Sequence, residues 1–297
     1  MDWLERMNGA MDYIEGRLAS DIDYEEAARI ACCSSYHFQR MFSFITDVPL
    51  SEYIRRRRLT LAAFELQESG TRVIDVAMKY GYDSPNSFTR AFQSLHGVTP
   101  SAARDRGVQL KAYPRMSFHI SIKGDVEMNY KIEQKDAFRV FGVETIINMI
   151  DERNFEEIPG FWGECHKNGT MDRLESFEMP RYENGLCMIN SVMCYRRTEG
   201  NTFPYMIGIV DLYNKLKAPE DLTVVNIPAC TWAIFRSEEH GFKDSSEKIQ
   251  AVWKRIFPEW FPTSGYDHAG TAELEMTYET KEKDRFFTEV WIPVVKK

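Results

Sequence analysis

The feature that most constrains the fold is a repeat near the N-terminus. The segments Ala27-Ala28-Arg29-Ile30-Ala31 and Phe38-Gln39-Arg40-Met41-Phe42 return as Val76-Ala77-Met78-Lys79-Tyr80 and Phe88-Thr89-Arg90-Ala91-Phe92, about 50 residues later. In each copy a short apolar-periodic stretch precedes a longer one that opens on Ser34-Ser35 or on Asp83-Ser84-Pro85. Each copy therefore reads as a helix, a turn and a second helix. Between them, Leu50, Ile54, Leu59, Ala62 and Leu66 predict a helix of roughly 18 residues, about 27 Å long. A further stripe, Leu4, Met7, Met11, Ile14 and Leu18, makes residues 1–108 all-helical. Two helix-turn-helix units on such a spacer suit two successive major-groove segments about 34 Å apart.

Charge is distributed to match. The chain carries a net charge of −8 over 297 residues, which alone does not suggest DNA binding. Residues 1–108, however, hold 13 Lys and Arg, of which 12 are Arg, against 15 acids. Arg forms bidentate contacts with guanine edges and phosphates. The run Arg55-Arg56-Arg57-Arg58 looks like a phosphate patch, but on a helix its members point in all directions. At most two can reach phosphate, leaving the others for Glu52 or acids elsewhere.

The motifs Ser35-Tyr36-His37-Phe38-Gln39-Arg40-Met41-Phe42, Asp75-Val76-Ala77 through Gly81-Tyr82 to Ser87-Phe88-Thr89-Arg90-Ala91-Phe92, and Gly97-Val98-Thr99-Pro100 give residues 6–106 a resemblance to the DNA-binding domain of the AraC/XylS transcription regulators. With a second domain behind it, the order resembles the Rob-like arrangement. The resemblance implies that Tyr36, Gln39 and Arg40 face bases from the first recognition helix, and that Asn86, Thr89 and Arg90 face bases or phosphates from the second. Pro85 replaces the polar residue often found there and removes one base contact.

Residues 109–126, with Pro114 and Gly124, read as a linker carrying one short strand at Ser117 to Ile122. From 127 to 297 the pattern changes to strands and helices in the order β-β-α-β-β, twice, an α+β fold built by duplication. The first copy has strands at Met128–Glu133, Phe138–Asn148, Gly185–Cys194 and Tyr205–Val210, with a helix over about 155–169. The second has strands at Leu222–Ile227, Thr231–Ser237, Ala272–Thr280 and Phe286–Val295, with a helix over Ser245–Phe257. Aligning Tyr205-Met206-Ile207-Gly208-Ile209-Val210 with Glu289-Val290-Trp291-Ile292-Pro293-Val294 sets Tyr205 in the place of Glu289. A junction between duplicated halves commonly holds a cleft.

In the last strand, alternation places Phe287, Glu289 and Trp291 on one face, and Pro293 is expected to close the pairing. A carboxylate between two large aromatics either faces water at a sheet edge or forms the charged floor of an aromatic pocket, because an unpaired buried charge costs several kcal/mol. The motifs Met128-Asn129-Tyr130-Lys131-Ile132, Ala137-Phe138-Arg139-Val140-Phe141-Gly142, Ile256-Phe257-Pro258-Glu259-Trp260-Phe261-Pro262 and Glu289-Val290-Trp291-Ile292-Pro293-Val294 resemble the GyrI-like effector-binding domain. In relatives of this kind, including MerR-type multidrug regulators, a Glu at the position of Glu289 meets lipophilic cations in an aromatic cavity. The resemblance thus implies Glu289 as the charge receptor. Trp162, Tyr205, Trp232, Tyr266 and Trp291 are further wall candidates, although such an aromatic more often packs in the core.

The remaining composition narrows the function. Aromatics reach 13% of a chain that is 43% hydrophobic, and no apolar run is long enough to span a membrane. The acidic start Met1-Asp2-Trp3-Leu4-Glu5 is unlike a signal peptide, so a cytoplasmic location is expected. The six cysteines lack metal or disulfide spacing and read as reduced core thiols, and His166, His240 and His268 lack metal-ligand spacing. No metal, cofactor or catalytic triad is expected. The leading expectation is a DNA-binding transcription regulator with a small, cationic or amphipathic effector. Its partners are then double-stranded DNA, the effector and RNA polymerase, with no membrane. The alternatives are a hydrolase-like second domain using a Tyr205/Glu289 pair, or a protein-binding module.

Overall fold

The computed structural model describes residues 3–105, 107–118, 127–149, 153–198 and 202–297. The chain divides into two compact units, Met1–His119 and Ile120–Lys297. The N-terminal unit consists of α1 (Trp3–Gly16), α2 (Tyr24–Ile30), α3 (Ser35–Thr46), α4 (Leu50–Glu68), α5 (Val73–Lys79) and α6 (Pro85–His96), then a short 3₁₀ turn at Ala102–Arg104. The two copies of the repeat are built alike. α3 and α6 have 12 residues each, and each starts on a serine that caps it: Ser34 accepts from the His37 N–H at 3.2 Å and Ser84 from the Ser87 N–H at 3.1 Å. Both end in a left-handed residue, Gly97 in one and Asp47 in the other, where φ is +52°.

The spacer α4 has 19 residues, about 28 Å. Its arginine run is consumed by the fold. Arg55 and Arg56 both pair with Glu52, at 2.6 and 2.5 Å. Arg57 reaches across to α1, donating to both oxygens of Glu15 at 2.9 and 2.8 Å and to the Tyr113 carbonyl at 2.6 Å. Arg58 donates to the Leu18 and Ser20 carbonyls. Tyr53 adds a bond to Glu15 at 2.6 Å.

The stretch expected to begin a linker at 109 instead lies against this unit as far as Phe118. The Tyr113 N–H donates to Thr60, the Met116 N–H to the Tyr53 hydroxyl, and the Phe118 N–H to Asn8. The strand expected at 117–122 falls mostly outside the described residues, and Ser117 and Phe118 are not in one. Cys32, expected in the core, is exposed.

The C-terminal unit is a nine-stranded sheet with helices packed on one side. Its elements are β1 (Tyr130–Lys135), β2 (Phe138–Asn148), α7 (Asn154–Lys167), α8 (Thr170–Glu175), β3 (Arg181–Tyr182), β4 (Gly185–Leu186), β5 (Asn190–Met193), β6 (Thr202–Asp211), β7 (Thr223–Ile227), β8 (Cys230–Arg236), α9 (Ser245–Arg255), a π-helical turn (Ile256–Trp260), β9 (Tyr266–His268), β10 (Glu273–Glu279) and β11 (Phe286–Lys296). The order across the sheet is β1-β8-β11-β10-β5-β6-β2-β7, with β9 beside β11 and β3–β4 a separate hairpin. The two halves meet at β5–β10, and each lends its first strand to the other: β1 pairs with β8, and β7 with β2. At the β2–β6 crossing, Gly142 faces Gly208, and a Cβ on either would run into the carbonyl oxygen of Ile207 or Phe141.

β11 lies inside the sheet, between β8 and β10, so Glu289 is not on an edge. Nor does Pro293 end the pairing. It sits opposite Trp232, its carbonyl accepts from the Ala269 N–H at 2.8 Å, and the strand runs on to Lys296.

The Arg57–Glu15 contact joins α1 to α4 with both side chains about a tenth exposed. Removing one partner of such a pair leaves a charge stranded. Arg57→Met is expected to destabilise the helical unit by about 3 kcal/mol, seen as a lower urea midpoint by far-ultraviolet circular dichroism. Arg56→Met, at a half-exposed site, is expected to cost under about 1 kcal/mol.

Candidate functional site

Strand register decides which side chains share a face. Glu289 lies opposite Met276 on β10 and Arg236 on β8, while Trp291 lies opposite Leu274 and Ile234. With Phe287, Tyr278 and Trp232 these side chains form one apolar face that points away from α7 and α9. Tyr278 stacks on Phe287 with ring centroids 5.3 Å apart, and Trp232 meets Trp291 at 5.7 Å. Glu289 is 3% exposed in the middle of them.

Its carboxylate is held from three sides. The Trp291 indole N–H donates to Oε2 at 3.0 Å, and the Asn184 amide donates to Oε1 at 2.9 Å from the turn of the β3–β4 hairpin. Lys131 Nζ, on β1, lies 3.7 Å from Oε1. Burial pushes the Glu289 carboxyl above the usual carboxylate range, despite the opposing pull of Lys131 and the two hydrogen bonds. Such a group gains from any positive charge brought close to it.

The chain's own cations already line this face. Lys135 Nζ stands 5.6 Å over the Trp291 ring, and Arg236 Cζ lies 3.7 Å over Phe287. Glu133 joins the two lysines, at 2.8 Å from Lys131 and 2.5 Å from Lys135. Trp232 is fully buried here, and its indole nitrogen has no hydrogen-bond partner among the described residues.

The other expected wall residues lie on the opposite, helix-covered side of the sheet. Tyr205 accepts a bond from the Trp162 indole of α7 at 2.9 Å, and Tyr266 stacks on Trp260 beside Phe235. The alignment of Tyr205 with Glu289 is thus off by one. β2 begins at Phe138, three residues after β1 ends, and β8 begins at Cys230, three after β7 ends, so the halves superpose as 138 on 230. Within that frame Met206 faces Glu144 as Glu289 faces Arg236, which makes Met206 the counterpart of Glu289. A slip of one residue moves a whole strand's side chains to the other face. The first half accordingly has Gly208 and Gly142 where the second has Trp291 and Ile234.

On the helix side the sheet also carries Glu275, which accepts from the Trp253 indole at 2.7 Å and from the Ser191 hydroxyl at 2.8 Å. Glu275 was not among the residues expected at a site. The signal was the alternation Glu273-Leu274-Glu275-Met276, acid on the very face the helices cover.

In the N-terminal unit, Asn86 and Arg90 are exposed on the side of α6 away from Phe88, Phe92 and Leu95, and Thr89 is half-buried beside them. Gln93, not among the expected contacts, completes the exposed row at spacings of four and three residues. On α3, Arg40 donates to the Tyr36 hydroxyl at 2.8 Å and lies over the Tyr36 and Phe44 rings. The Gln39 amide turns back to Ser35 at 3.4 Å.

A GyrI-like small molecule binding domain matches residues 128–295, and a helix-turn-helix domain matches residues 27–106. The N-terminal region is 42% identical over 92 residues to the HTH-type transcriptional activator AarP of Providencia stuartii, covering 31% of this chain and 68% of that protein. It is 36% identical over 96 residues to the regulatory protein SoxS of Salmonella typhimurium, covering 32% and 90%. It is 34% identical over 104 residues to the right origin-binding protein of Escherichia coli K12, covering 35% and 36%. The chain belongs to the GyrI-like family and joins its small-molecule-binding domain to an AraC-type helix-turn-helix domain, the composition of a DNA-binding transcription regulator.

Proposed function

We propose that this regulator responds to a lipophilic cation received by Glu289 on the aromatic face of the C-terminal unit. The observation that carries the reading is the buried carboxylate itself: 3% exposed, between Phe287 and Trp291 on one strand face, with Tyr278 and Trp232 packed on those two rings, and approached by the chain's own Lys131. A cation–π contact joined to a carboxylate selects for charge and apolar bulk together. The described hairpin residues Tyr182 and Asn184 close the face, Tyr182 being tied to β6 by its bond to the Val210 carbonyl at 2.5 Å. Entry of a ligand therefore requires Asn184 to leave the carboxylate. A ligand that binds only the parted state shifts the population toward it.

The hydrolase alternative rested on Tyr205 and Glu289 acting together. They lie on opposite faces of the sheet, which removes the observation that favoured it. Trp162, Tyr205 and Tyr266 are likewise left out of the proposed site, and Glu289, Trp291 and Trp232 kept. Asn86, Arg90 and Gln93 are proposed to read DNA from α6, and Arg40 from α3, where Tyr36 and Gln39, expected to face bases, are buried. Engagement of RNA polymerase in the cytoplasm completes the role of a one-component regulator.

Glu289→Gln is expected to weaken binding of tetraphenylphosphonium at least about tenfold, or 1.4 kcal/mol, by isothermal titration; equal affinity removes Glu289 from the site. Because the carboxyl is raised by burial, and a bound cation favours its ionised form, wild-type affinity is expected to climb as pH rises through that raised value and then to level off. A flat profile from acid to mildly alkaline pH contradicts the assignment. Arg90→Ala is expected to cost about 1–3 kcal/mol of specific DNA binding, measured by mobility shift on a selected duplex, with an unchanged affinity speaking against α6 as a reader.

A further inference from the structure

We infer that Lys131 is a tethered competitor for the ligand, an ammonium that keeps the carboxylate company until a stronger cation displaces it. This rests on the reading of Glu289 given above. With Lys131 Nζ 3.7 Å from Glu289 and Glu133 bridging Lys131 and Lys135, the two lysines and two glutamates balance. A monocation arriving at Glu289 with Lys131 still in place would face an adjacent like charge, so binding is an exchange of one cation for another. Lys131 is suited to leave. Its side chain is 41% exposed, and Glu133, at 2.8 Å, already holds it more closely than Glu289 does. The displaced ammonium keeps that partner and gains water.

The exchange sets a threshold on what the site accepts. A small hydrated cation offers Glu289 nothing that Lys131 does not, and lacks the advantage of being tethered. A cation with several apolar groups adds contact with the rings of Trp291, Phe287 and Tyr278, which a small hydrated cation cannot match. Lys131 thus acts as a specificity-determining residue that reserves the carboxylate for bulky cations. It sits on β1, an edge strand and the first strand among the described residues of the C-terminal unit.

The test is titration of the full chain with tetraphenylphosphonium and, separately, tetramethylammonium at mildly alkaline pH. The proteins are wild type, Lys131→Met, Lys131→Gln, Glu289→Gln and the Lys131→Met/Glu289→Gln double variant. Both Lys131 variants are expected to bind tetraphenylphosphonium at least fivefold tighter than wild type and to gain measurable tetramethylammonium binding. In the double variant the gain disappears, because the competitor matters only where the carboxylate is present. If Glu289→Gln loses affinity while both Lys131 variants match or fall below wild type, the site stands and the competitor role is overturned. If Glu289→Gln binds as wild type does, the site itself is misplaced, and the competitor role fails with it.

Discussion

Everything in the C-terminal unit follows from the alternation of side chains across a wide antiparallel sheet. Once β11 is fixed between β8 and β10, every residue on it belongs either to the helix-covered side or to the other. Apolar residues fill both sides, but the two coverings differ. Helices bring Trp162 and Trp253, whose indole N–H groups find Tyr205 and Glu275. The other side is closed by a hairpin with two-residue strands and by lysines of an edge strand. It is the more easily parted covering, and the buried Glu289 carboxylate lies under it.

The helical unit was nearly all legible in the sequence, because its signals are local. Serine caps, a proline at the first position of α6, a glycine after its end and an apolar row every three or four residues each specify a helix without reference to anything distant. Eight of the sheet's nine strands, all but β9, were legible for the same reason. Their facing was not. Tyr205 and Glu289 were paired by similarity along the chain, and similarity between duplicated strands tolerates a shift of one, whereas geometry does not. Only the β2–β6 and β8–β11 pairings reveal that Met206 takes that place. Tyr266 and Trp162 were misplaced by the same lack: aromatic residues announce burial, not the side on which they are buried.

The arginine run was only partly legible. Four consecutive arginines look like a phosphate-binding patch, yet all four hold Glu52, Glu15 or backbone carbonyls of their own unit. The guanidinium's fixed fork makes it as good a structural staple as a nucleic-acid contact. The exposed row Asn86, Arg90 and Gln93 carries less charge but has an open face, and openness was not readable from composition.

The exchange of first strands between the halves has a consequence in time. Tyr130 on β1 pairs with Phe235 on β8, more than a hundred residues further along the chain. During synthesis, β1 leaves the ribosome with no partner and waits for most of the unit to follow, and β2 waits likewise for β7. The first half cannot finish folding alone, since its outermost strand belongs to a sheet not yet made. Loop closure over such separations is slow, so the C-terminal unit is expected to mature last, after the helical unit has already folded on local contacts.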